Sequence, residues 1–209
     1  MSEKGFTLVE LIVVVGIMGI LGLIFTNTLI QSLRGQSKVK VINEVKQNGQ
    51  VILDRLSSDI RQAEDVACIG TSELNPGGKN DTIVVVKQGT YARFRFILPT
   101  SNANGLIKRS DFTAEEISNP DAENLLCSTS QDIGNTYTLT GIDPINGVSI
   151  NYDNENPVFA AESPLPGYSD VVTIKFRAFQ GVKAGSLFES SVSEEGVSFA
   201  TTIQVRGGK

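Results

Sequence analysis

Residues Phe6 to Leu33, FTLVELIVVVGIMGILGLIFTNTLIQSL, constrain the chain more than any other stretch. One charge, Glu10, interrupts them. From Leu11 to Leu33 there is no Asp, Glu, Lys or Arg, and Leu11–Phe25 is apolar or glycine throughout. As a helix the segment would run roughly 42 Å, more than the hydrocarbon thickness of about 30 Å. A backbone in lipid must satisfy its own hydrogen bonds, so a helix is the only reasonable conformation. A membrane-spanning helix is therefore expected. A carboxylate within such a span is disfavoured by at least about 2–3 kcal/mol, which points to a role for Glu10. The plain alternative is that Glu10, one turn from the end, reaches the interface and does nothing.

The residues around it narrow the choice. Gly5-Phe6-Thr7-Leu8-Val9-Glu10, preceded by Lys4 in a five-residue leader, closely resembles the class III signal of type IV pilins and pseudopilins. The resemblance implies a membrane peptidase that cuts after Gly5 and methylates the new amino terminus on Phe6. It also implies that Glu10 pairs with the amino terminus of a neighbouring subunit during filament assembly. The physics agrees: before the cut no amine lies at this depth, and after it an ammonium and a carboxylate attract strongly in low dielectric. Neither is stable buried alone, so each draws the other into register. The rival, an ordinary secretory signal, lacks support: there is one Lys in place of a basic region, and no small-x-small site follows a short apolar core. Arg34, Lys38 and Lys40 lie beyond the span and only Lys4 before it, opposite to the usual positive-inside bias. The cytoplasmic placement of the short end therefore rests on the resemblance.

Past the span the helical pattern continues. Ile42, Val45, Gly49, Ile52, Leu56, Ile60 and Ala63 recur at three- and four-residue spacings, an apolar stripe suited to packing on a sheet. Helix from Phe6 to Ala63 would be roughly 87 Å long, with Gly16, Gly19, Gly22, Gly35 and Gly49 as points of weakness or close helix contact. The expected divisions are a leader at 1–5, a membrane helix at 6–33, its amphipathic continuation at 34–63 and a β-rich head at 64–209.

In the head, residues 72–81 read as loop, and Thr82–Lys87 as a strand. Tyr91–Leu98 alternates aromatic with basic residues, so Phe94 and Phe96 are expected to define the buried face. Leu106–Arg109 is its hairpin partner across a turn at Pro99–Gly105, and a short helix is expected at Thr113–Ser118. Leu125-Leu126-Cys127 starts another element. Tyr137–Leu139, Val148–Tyr152, Asp170–Phe179 and Phe199–Val205 read as strands; Asp153–Gly167 and Val182–Val197 read as loops. One long helix and then strands is an α+β, pilin-like arrangement on an antiparallel sheet.

The helix end Val51–Ala63, the hairpin with its Leu106-Ile107-Lys108-Arg109 step, and the closing Phe199–Arg206 resemble PilW-like minor pilins and the minor pseudopilin J of type II secretion. Gly207 stands where those proteins often carry Asn, and the span lacks the helix-bending Pro common in major pilins; the latter favours a minor subunit.

Other chemistries find little footing. There is no His, hence no Ser–His or Cys–His pair, and no Gly-rich phosphate loop opens a helix after a strand. Glu115-Glu116 and Glu194-Glu195 read as solvated charge, and no enzyme is expected. Cys68 and Cys127 are either a disulfide, worth roughly 4 kcal/mol by chain entropy for a loop of about sixty residues, or two buried thiols. Without His they make no ordinary zinc site. Asp153-Asn154-Glu155-Asn156 and Asn119–Asn124 offer oxygen ligands, but no EF-hand pattern is present, and neither metal nor cofactor is expected. The net charge of −5 argues against nucleic acid as a primary partner.

The sequence therefore predicts a minor pilin or pseudopilin subunit, stored in the cytoplasmic (inner) membrane as a single-pass precursor with its head outside the cytoplasm. Its expected partners are prepilin peptidase, other pilin or pseudopilin subunits, the inner-membrane assembly platform and, before assembly, membrane lipid. After assembly it belongs to an extracellular or periplasmic filament. The alternatives are a major pilin and a filament-tip protein for adhesion or DNA uptake.

Overall fold

The structure is a computed structural model, described here for residues 5, 7–71, 79–116, 126–129, 131–153, 156–162, 169–184 and 196–206. Helix α1 covers Leu8–Arg61. Two compact units are distinguished, residues 1–41 and residues 42–209, with the last five turns of α1 in the second.

In the first unit the helix carries no tertiary cover. Every large apolar side chain from Leu8 to Leu33 is exposed, from 42% at Ile30 to 76% at Leu8. By length and composition α1 is able to cross a membrane, with a mean hydropathy of 2.8 in its best window. The two threonine hydroxyls near the far end are satisfied within the helix: Thr26 Oγ1 donates to the Gly22 carbonyl at 2.8 Å and Thr28 Oγ1 to the Ile24 carbonyl at 2.9 Å. Such back-bonding lets a hydroxyl sit in an apolar medium without an orphaned donor.

In the second unit the apolar stripe is buried as its spacing predicts, with Val45, Gly49, Ile52, Leu53, Leu56 and Ile60 inside and Ala63 just beyond the helix. Ile42, at the head of that stripe, is only half-buried. The helix faces a five-stranded antiparallel meander in the order β1-β2-β3-β4-β5. These strands are β1 (Asp65–Gly70), β2 (Thr82–Lys87), β3 (Thr90–Ile97), β4 (Leu106–Thr113) and β5 (Asn135–Thr138). A second sheet holds β6 (Val148–Asn151), β7 (Phe159–Glu162), β8 (Val171–Gln180) and β9 (Val197–Gln204). Its centre is β8, paired with β9 along one edge and with β6 and β7 along the other. Val172, Ile174, Phe176 and Ala178 form the buried face of β8, as their alternation requires.

The two sheets are stitched at Gly105, whose N–H donates to Ser149 Oγ and whose carbonyl accepts from the Ile150 N–H, both at 2.9 Å. A Cβ on Gly105 would lie 1.8 Å from the Ile150 oxygen, so the junction requires a residue without one. Gly49 answers to a similar constraint: a Cβ there would lie 2.3 Å from the Phe199 ring of β9.

Several sequence expectations need correction. The stretch 153–167 is not loop throughout: β7 lies within it, short but held by its register with β8 from Phe159↔Ile174 to Glu162↔Val171. Cys68 belongs to β1, a strand not expected from the sequence. The hairpin strand β4 runs on to Thr113, and the helix expected at Thr113–Ser118 is a single 3-10 turn at Ala114–Glu116, with 117 and 118 outside the described residues. Val197, placed in the loop 182–197, opens β9; residues 185–195 of that loop, like 72–78 and 119–124, lie outside the described set. Finally, β3 does not have one buried face: Arg93 and Arg95 are as buried as Phe94 and Phe96.

Candidate functional site

The described part of the N-terminal signal begins with Gly5, exposed and with open space around its Cα. Phe6 lies outside the described residues. Thr7 is the last residue before α1, and Glu10 falls in the helix's first turn. The Thr7 N–H donates to Glu10 Oε2 at 3.0 Å, the Thr7 hydroxyl donates to the same oxygen at 3.1 Å, and the Glu10 N–H donates to Thr7 Oγ1 at 3.3 Å. This is a reciprocal capping box, Thr at the cap and Glu three residues later, which satisfies donors that a helix start otherwise leaves open. A negative side chain here also meets the positive end of the helix dipole.

The arrangement explains how a lone carboxylate is tolerated at the lip of an apolar span. It also leaves capacity, since Oε1 has no hydrogen-bond partner among the described residues and Glu10 is exposed. A cut after Gly5 would create an ammonium on the residue adjoining the cap. The sequence reading singled out Glu10 and passed over Thr7, although the Thr-x-x-Glu spacing carries the cap signal.

The head holds the second set of singled-out residues. Cys68 of β1 is bonded to Cys127, with Cα atoms 6.2 Å apart. Cys127 belongs to a small apolar cluster with Val84, Phe112 and Leu126, on the face of the first sheet that α1 does not cover. The chain between β4 and β5 thus lies across that face at residues 126–129 and 131–133, and two arginines hold it there. Arg93 donates to the Gln131 carbonyl at 2.6 Å and to the Leu126 carbonyl at 3.4 Å. Arg95 donates to the Thr129 and Gln131 carbonyls and, at 2.5 Å, to Asp132, which also accepts from Lys108 at 2.9 Å. Burial, then the neighbouring Arg95 charge, lowers the Arg93 guanidinium to about 10, against an opposing pull from Asp132. Burial pushes the Asp132 carboxyl up, but the Lys108 bond and charge with the two arginines leave it below its ordinary value.

On the opposite face Arg109 ties sheet to helix. It pairs with Asp59 of α1 and, through Nε at 2.9 Å, with Asp111, and it sits over the rings of Phe94 and Tyr137. Burial pulls its guanidinium down, but Asp111 and Asp59 outweigh this and it titrates above the ordinary arginine value. Asp59 and Arg109 meet across 50 residues of chain, a pairing that no local spacing in the sequence announces.

Among the described residues no group of three or more acidic or cysteine side chains could hold a metal. Asp153, singled out as an oxygen ligand, instead accepts from Ser198 at 3.1 Å and faces Arg177 at 3.9 Å.

Residues 1–26 match the family model described as the prokaryotic N-terminal methylation motif. No curated protein and no solved structure gave a significant match. The motif supports a class III signal of type IV pilins and pseudopilins at this N-terminus, and with it a type IV pilin-like precursor. It indicates a structural subunit, and such a motif implies processing by prepilin peptidase and assembly with other pilins. An apolar N-terminal helix behind such a signal is consistent with anchoring in the inner membrane.

Proposed function

We propose that this chain is a minor pilin or pseudopilin subunit, held in the cytoplasmic membrane through residues 6–33 until it is cut after Gly5. The new amine on Phe6 is methylated, and the subunit is then taken by the inner-membrane assembly platform into a filament with its head outside the cytoplasm. Within the filament the apolar helix exchanges lipid for the same helix of its neighbours. Glu10 and the Phe6 amine of an adjacent subunit set the axial register. The disulfide and the arginine-held segment keep the head's surface intact for its partners.

One observation carries the reading: a single carboxylate in the first turn of α1, the one charge within the apolar stretch Phe6–Leu33, five residues past Gly5, with an acceptor oxygen that its Thr7 cap does not use. The minor assignment is supported by the absence of Pro from Phe6–Leu33, which leaves the helix ladder unbroken. Glu10→Ala tests the mechanism. The variant is expected to insert and to be cut like the native precursor but to be lost from sheared filaments or pseudopili. Incorporation at the native level would refute the role of Glu10.

A further inference from the structure

Directly after the apolar span, α1 changes character. Residues 34–46 carry Arg34, Lys38, Lys40 and Lys46 against Glu44 alone, four basic against one acidic, net +3. Residues 47–209 carry 13 basic and 20 acidic side chains, net −7. The basic group is therefore a local reversal in an acidic protein, confined to one short stretch of one helix. Arg34 follows the last apolar residue, Leu33, without a break, and Arg34, Lys38 and Lys40 are all exposed.

The helix rise places Lys40 only about 9 Å beyond Arg34, close to one Debye length at physiological salt, about 8 Å. Lys46 belongs to the second unit and is not counted with them. At 100° per residue Arg34 and Lys38 share a face while Lys40 projects from another, so the three charges lie on more than one side of the helix within about 9 Å of its length. A protein partner would be met on one face; a planar sheet of headgroups surrounds a helix. Long basic side chains extend along the helix so that their heads reach the phosphate layer while their stems stay in apolar surroundings.

From this placement we infer that Arg34, Lys38 and Lys40 form a lipid-binding girdle selective for anionic headgroups of the leaflet from which Leu33 emerges. The inference rests on the membrane reading of residues 6–33 and extends it by naming the lipid class. Each basic residue near such a surface favours it by about fivefold, and three together by up to about a hundredfold. Because the rest of the chain beyond the span is acidic, the girdle is the part of the exported chain that an anionic leaflet attracts. It sets how firmly the precursor is held before assembly.

The chain contains no Trp, so Leu33→Trp in the full-length protein gives a single reporter at the foot of the girdle. This protein is reconstituted into vesicles of phosphatidylcholine with phosphatidylglycerol, in which one lipid at a time is brominated. Brominated phosphatidylglycerol is expected to quench at least about fivefold more effectively than its mole fraction alone predicts, with the excess falling as salt rises. The variant Arg34→Gln/Lys38→Gln/Lys40→Gln should lose the excess, and Lys175→Gln/Lys183→Gln in the head should keep it. Inorganic phosphate should weaken it no more than chloride at equal ionic strength; a larger effect would mark a free-phosphate site and overturn the lipid assignment. Equal quenching by both lipids, or an excess retained in the triple variant, overturns the girdle alone. No quenching by either lipid overturns the membrane reading beneath it.

Discussion

Replacing Gly49 by Ala should destabilise the head, although at an open helical position the same change stabilises. In an open helix Ala is favoured over Gly by about 0.8–1.0 kcal/mol. Here the new methyl would lie 2.3 Å from both Cε2 and Cζ of Phe199, more than 1 Å inside the normal carbon–carbon separation of about 3.5–4.0 Å. The ring has little room to retreat. Phe199 is 8% exposed and stacks on Phe176 at 5.3 Å, and β9 is registered on β8 over eight residue pairs. Forcing a methyl into such a contact costs about 1–3 kcal/mol, so the steric term outweighs the propensity gain, leaving a net loss of about 1 kcal/mol. Urea unfolding of the purified protein measures it, with Phe199→Ala as the second arm of a double-mutant cycle. With the ring removed, the Gly49→Ala change should reverse sign and stabilise by up to about 1 kcal/mol. A Gly49→Ala protein as stable as the native one, or a loss of equal size in both backgrounds, would refute the packing of α1 on β9.

Two further perturbations bear on the head. Cys68→Ser/Cys127→Ser should lower its stability by about 2–4 kcal/mol and release the segment at 126–133 to proteolysis, read by limited digestion of oxidised and reduced protein; equal digestion would refute the covalent hold. Asp132 has its carboxyl pKa below the ordinary 3.8 in the folded state, so its contribution is fully present above that pH and is lost as the pH falls below it. Asp132→Asn should therefore flatten the stability curve below about pH 4 while shifting it little in shape above; an unchanged acid limb would contradict the ion pairs to Arg95 and Lys108.

What was readable in the sequence was local. The span, its single carboxylate and the stripe from Val45 to Ala63 show themselves through spacing along one helix, and the strands β2, β8 and β9 through alternation or apolar runs. What stayed hidden depends on chain that arrives from far away. Arg93 and Arg95 look like the wet face of an edge hairpin, and they are buried only because a segment more than 30 residues later lies over them and offers its carbonyls. Strand β7 has four residues and little pattern, and exists through its pairing with β8. Gly49 reads as a weak point in a helix until Phe199 is seen above it. At the N-terminus both the carboxylate and its cap are local, since Thr7 and Glu10 stand at the three-residue spacing of a capping box.

The central claim is that proteolysis creates the amine which Glu10 requires. Intact-mass and N-terminal fragment spectra of the protein taken from the membranes of cells with an active prepilin peptidase test it most directly. The account predicts a chain that begins at Phe6 and carries one methyl group on its amine; a chain still beginning at Met1, or one cut within or beyond the apolar span, contradicts it.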